Sequence, residues 1–391
     1  MYSLKSNNSG FSQIDIARNL KWFVLGLIAI ELITFGLSIA DSQRYGDFAQ
    51  TPPEYNPDLL ALLLGIGTWA IPLALVLACK SHILLPKYNL KNGAGIYAIF
   101  LMNFAATILF NIGVVGEGKS SLGFLTTILP INYLIFFVVC QDKNRNSWFL
   151  IALLVLTDLY RQLFGVFLKI GYLIAILASA RVRKYLLICS PLLFIIVKEG
   201  LIYKMGLRGL DLDEQTLIAQ AGFARVASVN TYNFVLSDLT LLAEACSDNA
   251  NVMVSFFLSL IPKAIFGLEM PLGFNSCYIA HYTGTTAIGS SVNAPFLANL
   301  ILLSKISFLS FLQYFIFVSI VIAGIIFFSN YLLGKNSIIL NYWILAEFFW
   351  TGNILSLSIP MYFLMLLYIF VNVIPLKRND RFGNMVLKRE M

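Results

Sequence analysis

Charge is what this chain has least of. Of its 391 residues only 12% are charged while 59% are hydrophobic, and the mean hydropathy is +0.80. A water-soluble domain of this size needs far more polar surface than that, so an ordinary soluble enzyme is excluded and lipid is the expected solvent. Histidine is almost absent, with His82 and His281 the two present. Without a CxxC pair or an HExxH pattern there is no metal-ligand spacing. No P-loop and no dinucleotide fingerprint occur, so energy from ATP is not expected to enter through this chain. Internal repeats and low-complexity tracts are missing as well. The first apolar run, Trp22 to Ala40, is too long for a signal peptide and lacks a small-residue cleavage site, so it reads as a retained helix with nothing processed away. No appended soluble domain is expected at either end.

What is abundant is the apolar run of about twenty residues, the length that carries a helix across the ~30 Å hydrocarbon core with its backbone hydrogen bonds satisfied. Ten spans are predicted, at about 22–40, 59–79, 94–115, 122–140, 147–157, 162–180, 185–203, 306–332, 339–356 and 357–375. The fold class is therefore all-α, a polytopic integral membrane protein. Alternating the connections places most of the 27 basic residues on one face, among them Arg18, Lys21, Lys87, Lys143, Arg181, Arg183, Lys184, Lys335, Lys377 and Arg378. Asp41, Asp47, Glu54, Asp58, Glu117, Asp211, Asp213 and Glu244 fall on the other. By the positive-inside rule the basic face is cytoplasmic, and both termini lie there.

The region 147–180 reads better as two passes than one, since a single span would put Arg181-Val182-Arg183-Lys184 outside. The first pass, Ser147 to Leu156, covers only about 15 Å, so the polar break Thr157-Asp158-Leu159-Tyr160-Arg161-Gln162 is expected partly below the outer surface. Such a break is tolerated where protein or water surrounds it. Three parts result: membrane helices over 1–204, a large periplasmic loop over 205–293, and further membrane helices with a tail over 294–391. Within the loop, Asp213 and Ser237 read as N-caps of short amphipathic helices (Leu217, Ile218, Ala221; Leu239, Leu242, Ala243), expected to lie on or dip into the outer leaflet. Val252 to Ile261 is an apolar segment closed by Pro262. Beyond Pro271 the chain turns rich in Gly, Ser, Thr and Asn, the composition of a loop over a site.

The 5 cysteines divide by side. Cys79, Cys140 and Cys189 read as small apolar core residues near inner helix ends. Cys246 and Cys277 share the outer loop, where the compartment would be oxidising, and pairing between them is left open.

Cations gather near the outer mouth: Lys198, Lys204, Arg208, Arg225 and Lys263, with Arg161 and Lys169 at the preceding break and helix. If one helix carries Arg161 and Lys169, they lie within about 80° of one another and face one cavity. Charges inside a membrane usually point into such a cavity, and arginine binds phosphate oxygens bidentately, so an anionic headgroup such as pyrophosphate is the ligand this pattern suits. Against that, Lys198 and Lys204 can snorkel to the interface, and Lys169 can pair with a carboxylate. His281 is placed to act as a general base near neutral pH, or to be a solvated loop residue; Glu269, two residues before Pro271, is the alternative base. Glu31 and Glu347 sit inside apolar spans and require a partner, a proton or water.

This layout resembles the bacterial O-antigen polymerases of the Wzy type, relatives of the O-antigen ligases. The resemblance rests on a polytopic chain of this length, the basic break at Asp158 to Gln162 with a helix ending in Arg181-Val182-Arg183-Lys184, and a large outer loop. That loop carries Arg208, Arg225 and Leu260-Ile261-Pro262-Lys263. The chain departs from the family at Ser291-Val292-Asn293-Ala294-Pro295-Phe296, where members often carry a glutamate. The resemblance implies a metal-independent membrane glycosyltransferase of the bacterial inner membrane, without nucleotide sugar or other cofactor. Its substrate would be an undecaprenyl-pyrophosphate-linked oligosaccharide delivered by a flippase. Arg208, Arg225 and Arg161 would stabilise the leaving pyrophosphate, with His281 or Glu269 as base and Lys169, Lys198 and Lys263 holding substrate. The bilayer is the essential partner, a chain-length regulator and the flippase are plausible ones, and nucleic acid is not expected. The rival readings are a polysaccharide flippase, an O-antigen ligase and a membrane acyltransferase.

Overall fold

The computed structural model describes residues 13–41, 57–79, 94–110, 133–134, 145–160, 165–177, scattered positions between 184 and 202, 226–247, 277 and 294–373. These residues form α-helices and one short 3-10 turn, with no strand among them. In chain order the helices are α1 (Gln13–Asp41), α2 (Leu59–Ala78), α3 (Ala94–Phe110), α4 (Arg145–Tyr160), α5 (Gly165–Leu177), α6 (Val229–Ser237), α7 (Leu239–Ala245), α8 (Phe296–Ile306), α9 (Phe308–Leu333), α10 (Ser337–Thr351) and α11 (Leu355–Val373). Three stretches, Ile16–Ile39, Leu59–Ala78 and Phe308–Leu333, are long and apolar enough to cross a membrane. Their outward faces carry Trp22, Leu25, Leu32, Leu63, Ile320 and Phe327, all exposed. Water solvates such continuous apolar faces poorly, whereas hydrocarbon solvates them well.

Local chemistry explains the helix ends. Asp58 caps α2, its side chain accepting from Leu60 N at 2.8 Å, and Ser307 caps α9 through Ser310 N at 3.4 Å. α10 stops at Gly352, whose φ of +58° is the left-handed conformation glycine adopts most easily. A Cβ there would overlap the Ala294 carbonyl oxygen, so the close approach of the chain at 294 demands glycine a second time.

Side-chain contacts set the relative heights of the helices. α1 and α2 run antiparallel, with Glu31 bonded to Trp69 and Gly65 against the same carboxylate. α5 lies along α1, with Tyr172 against Phe23 and Asn19 donating to Ile176 O. α9 and α10 form a hairpin closed at Gly334, stapled by Ser329 to Asn341 and by Ser337 to Asn330. α11 then runs parallel to α9, placing Met361 at Gly324 and Tyr368 against Phe328 and Tyr331. Trp350, near the end of α10, lies against Trp69 with ring centroids 6.1 Å apart. Trp69 is about 16 Å along α2 from its Asp58 end at about 1.5 Å per residue. The α10–α11 turn therefore sits deep in the bundle, and α6 and α8 occupy the space on its Asp58 side, α6 against α2 and α8 against both α2 and α10.

Several expectations are revised. α4 continues to Tyr160, so Thr157, Asp158, Leu159 and Tyr160 are helical rather than part of a break. Thr157 returns its hydroxyl to Leu153 O at 2.8 Å, which lets a polar residue stay in an apolar helix. Ser237 is the last residue of α6, its hydroxyl donating to Phe234 O at 2.9 Å, and Asp238 takes the N-cap position of α7 instead. α6 and α8 were not foreseen. Cys79 and Cys189 are exposed rather than core residues, while Cys140 lies outside the described residues. Cys79 is the C-cap residue of α2, one position beyond its last helical residue.

Candidate functional site

Two carboxylates lie within apolar helices, and the structure supplies each with partners. Glu347 on α10 forms an ion pair with Lys169 on α5, Oε1 to Nζ 3.9 Å, the two side chains being 19% and 18% exposed. Its other oxygen accepts from Trp343 Nε1 at 2.8 Å and from Tyr133 Oη at 3.3 Å. Trp343 and Glu347 are four residues apart, the spacing that stacks side chains on one helix face. The lysine is held by its own helix: Tyr172, one turn on and fully buried, donates to Ile339 O at 2.5 Å and packs against Tyr342 and Trp343.

The geometry is asymmetric. One Glu347 oxygen is held by two neutral donors, while the other faces an ammonium beyond ordinary hydrogen-bond distance. The two charges compensate one another in a poorly solvated setting, yet the lysine side chain is partly exposed and is not locked into a short bidentate bond. Such a lysine can turn toward an approaching anion at modest cost, while the carboxylate stays oriented by its tryptophan and tyrosine.

Glu31 on α1 is fully buried. It accepts from Trp69 Nε1 (2.9 Å), from the Ser228 backbone N (2.8 and 3.0 Å to its two oxygens), from Ser228 Oγ (2.8 Å) and from Val229 N (2.9 Å). Ser228 is the N-cap residue of α6 but makes no side-chain cap of its own. Glu31 takes that role from a distant helix, placing negative charge where the unpaired N–H groups and the helix dipole favour it.

Of the expected site residues, Arg208, Arg225, His281, Glu269, Arg161 and Lys263 lie outside the described residues, as does Lys204. Lys198 is described and half-buried, and it makes interactions within the protein. Lys169 has the carboxylate partner that was one of its two readings. Cys246 and Cys277 form a disulfide that joins the end of α7 to position 277. Sequence reasoning missed Trp69, Trp343, Tyr133 and Ser228 as partners of the glutamates. Only the Trp343–Glu347 spacing carried a local signal; the other partners come from remote parts of the chain. Among the described residues no cluster of three metal-ligating side chains occurs.

No family model, no curated protein and no solved structure matches this chain. Fold and site together define a class: a protein whose described residues are all helical, with helices able to cross a membrane and with an ion pair set among them.

Proposed function

We propose that this chain is a polytopic inner-membrane protein with about ten spans and cytoplasmic termini, and that it polymerises lipid-linked oligosaccharide repeat units on the outer face. The observation that carries this reading is the return of the interval 205–293 into the bundle as α6. Val229 to Val235 are buried, and the foot of α6 lies about 10 Å along α2 from Asp58, judged by Gly65. A polyprenyl-pyrophosphate substrate keeps its tail in lipid and its sugars in water, so its reacting bond lies at the boundary between them, within reach of a loop anchored among the helices. A loop anchored there can bring polar groups to the reacting bond without opening the bilayer.

In the proposed reaction the acceptor sugar hydroxyl attacks the anomeric carbon of the growing chain. The bond from that carbon to the lipid pyrophosphate breaks, and the hydroxyl proton passes to His281 or Glu269. Arg208, Arg225 and Arg161 stabilise the pyrophosphate as it leaves, and Lys169, Lys198 and Lys263 hold the incoming headgroup. Arg225 directly precedes Val226, where the described part of the α6 segment begins. One observation favours a polysaccharide flippase instead: a lysine–glutamate pair deep among the helices is also what a translocation path would use.

The test is complementation in a strain lacking the gene, scored on the lipopolysaccharide ladder with Arg208→Ala, Arg225→Ala and His281→Ala at matched expression. Polymerisation predicts that the deletion leaves core plus one repeat and that the arginine variants fail to restore the ladder. Loss of the single-repeat band as well would sink this reading in favour of transport or ligation.

A further inference from the structure

The deeply buried Glu31 has no part in the reaction just described, and its surroundings explain why it is there. Every contact it makes donates to it, and all but one come from Ser228 and Val229. The remaining donor is Trp69, the residue that also lies against Trp350 near the end of α10. On α2, Gly65 presents no side chain to the carboxylate; a Cβ there would come within 2.9 Å of Oε2. Three further polar contacts run up α6 in order: Ser38 Oγ to Asn230 Oδ1 at 3.1 Å, Thr68 to Tyr232 hydroxyl at 2.7 Å, and the Asp58 backbone N to Asn233 Oδ1 at 2.8 Å. Beyond α7 the chain is fastened again by the Cys246–Cys277 disulfide.

We propose that Glu31 is a positioning residue that docks α6, as a re-entrant helix, between α1 and α2. Its carboxylate binds the otherwise unpaired N–H groups at the foot of α6, and the disulfide closes the far end of the α6–α7 unit. The middle of the outer loop is then a built-in part of the bundle rather than a flap above it. Trp69 is where the dock meets the α10 end that carries Glu347. A buried carboxylate in a low-dielectric setting needs such donors, and the N-terminus of a helix needs an acceptor, so each satisfies a group that would be costly alone. The proposal does not depend on the O-antigen reading, because docking is measured without any glycan product.

Thiol accessibility in the full-length protein tests it. Val229→Cys is introduced with Cys79, Cys140 and Cys189 replaced by Ser, and spheroplasts are treated with a membrane-impermeant maleimide. Val229 is fully buried beside Gly65, so labelling is expected to be slow with Glu31 intact and at least about tenfold faster with Glu31→Ala. Ser228→Ala and Gly65→Ala keep the charge and loosen only the dock, so intermediate acceleration is expected; they carry the test if Glu31→Ala fails to accumulate. A reporter in the α9–α11 core, Leu340→Cys, stays protected in all backgrounds if the effect is local. Unchanged Val229→Cys labelling across the accumulating variants, or equal exposure of Leu340→Cys, overturns the proposal. Unchanged labelling overturns docking whatever the lipopolysaccharide ladder shows, and the ladder by itself bears only on the polymerase reading.

Discussion

Removing both charges of the Lys169–Glu347 pair should cost clearly less than the sum of removing each alone. At 3.9 Å two unit charges attract by about 4 kcal/mol at an effective dielectric near 20, an attraction offset in large part by desolvation. Lys169→Met alone leaves Glu347 with Trp343 and Tyr133 but no countercharge, and Glu347→Gln alone leaves a lysine among apolar helices. Each single change is expected to destabilise by roughly 3 kcal/mol, at the low end for a broken buried pair because both side chains keep some exposure. The double variant leaves no orphan charge, so its loss should fall short of the sum by about 1–3 kcal/mol. The assay is thermal or denaturant unfolding of the purified protein in detergent, with the lipopolysaccharide ladder followed in parallel. Additivity within about 0.5 kcal/mol would refute the pairing. The ladder separates two roles for the lysine: if it only neutralises Glu347, the double variant regains activity to the extent that it folds, whereas a lysine that meets the substrate headgroup leaves the folded double variant inactive.

Two other outcomes follow from the same geometry. Gly352→Ala should lower stability by about 2–4 kcal/mol, since left-handed backbone costs about 1–2 kcal/mol without glycine and the new Cβ must also displace the chain at Ala294; wild-type thermal stability in that variant would contradict the observed contact. Cys246→Ser should abolish a mobility difference between reduced and non-reduced gels and cost about 3–4 kcal/mol for a closed loop of sequence separation 31. An unaltered gel pattern would mean that the two cysteines are not joined.

Apolar length was legible in the sequence because crossing hydrocarbon is a one-dimensional requirement: enough consecutive residues without charge. α2, α9 and α11 accordingly fall where hydropathy puts them, within two residues at each end, and α1 does so at its C-terminal end while beginning nine residues earlier than expected. The demand that Glu31 and Glu347 find partners was likewise readable, since an isolated carboxylate in such a segment is prohibitively costly. Which partners they find was decided only in three dimensions. Lys169 meets Glu347 because Tyr172 wedges α5 against α10, and Ser228 meets Glu31 across a separation of 197 positions. α6 escaped detection because Val229-Asn230-Thr231-Tyr232-Asn233 reads as polar loop; it is held among the helices by Ser38, Thr68 and the Asp58 backbone, which bond Asn230, Tyr232 and Asn233. Composition and length thus determine that this chain folds as apolar helices, but the placement of its few polar groups depends on hydrogen-bond geometry between distant segments, which no local pattern encodes.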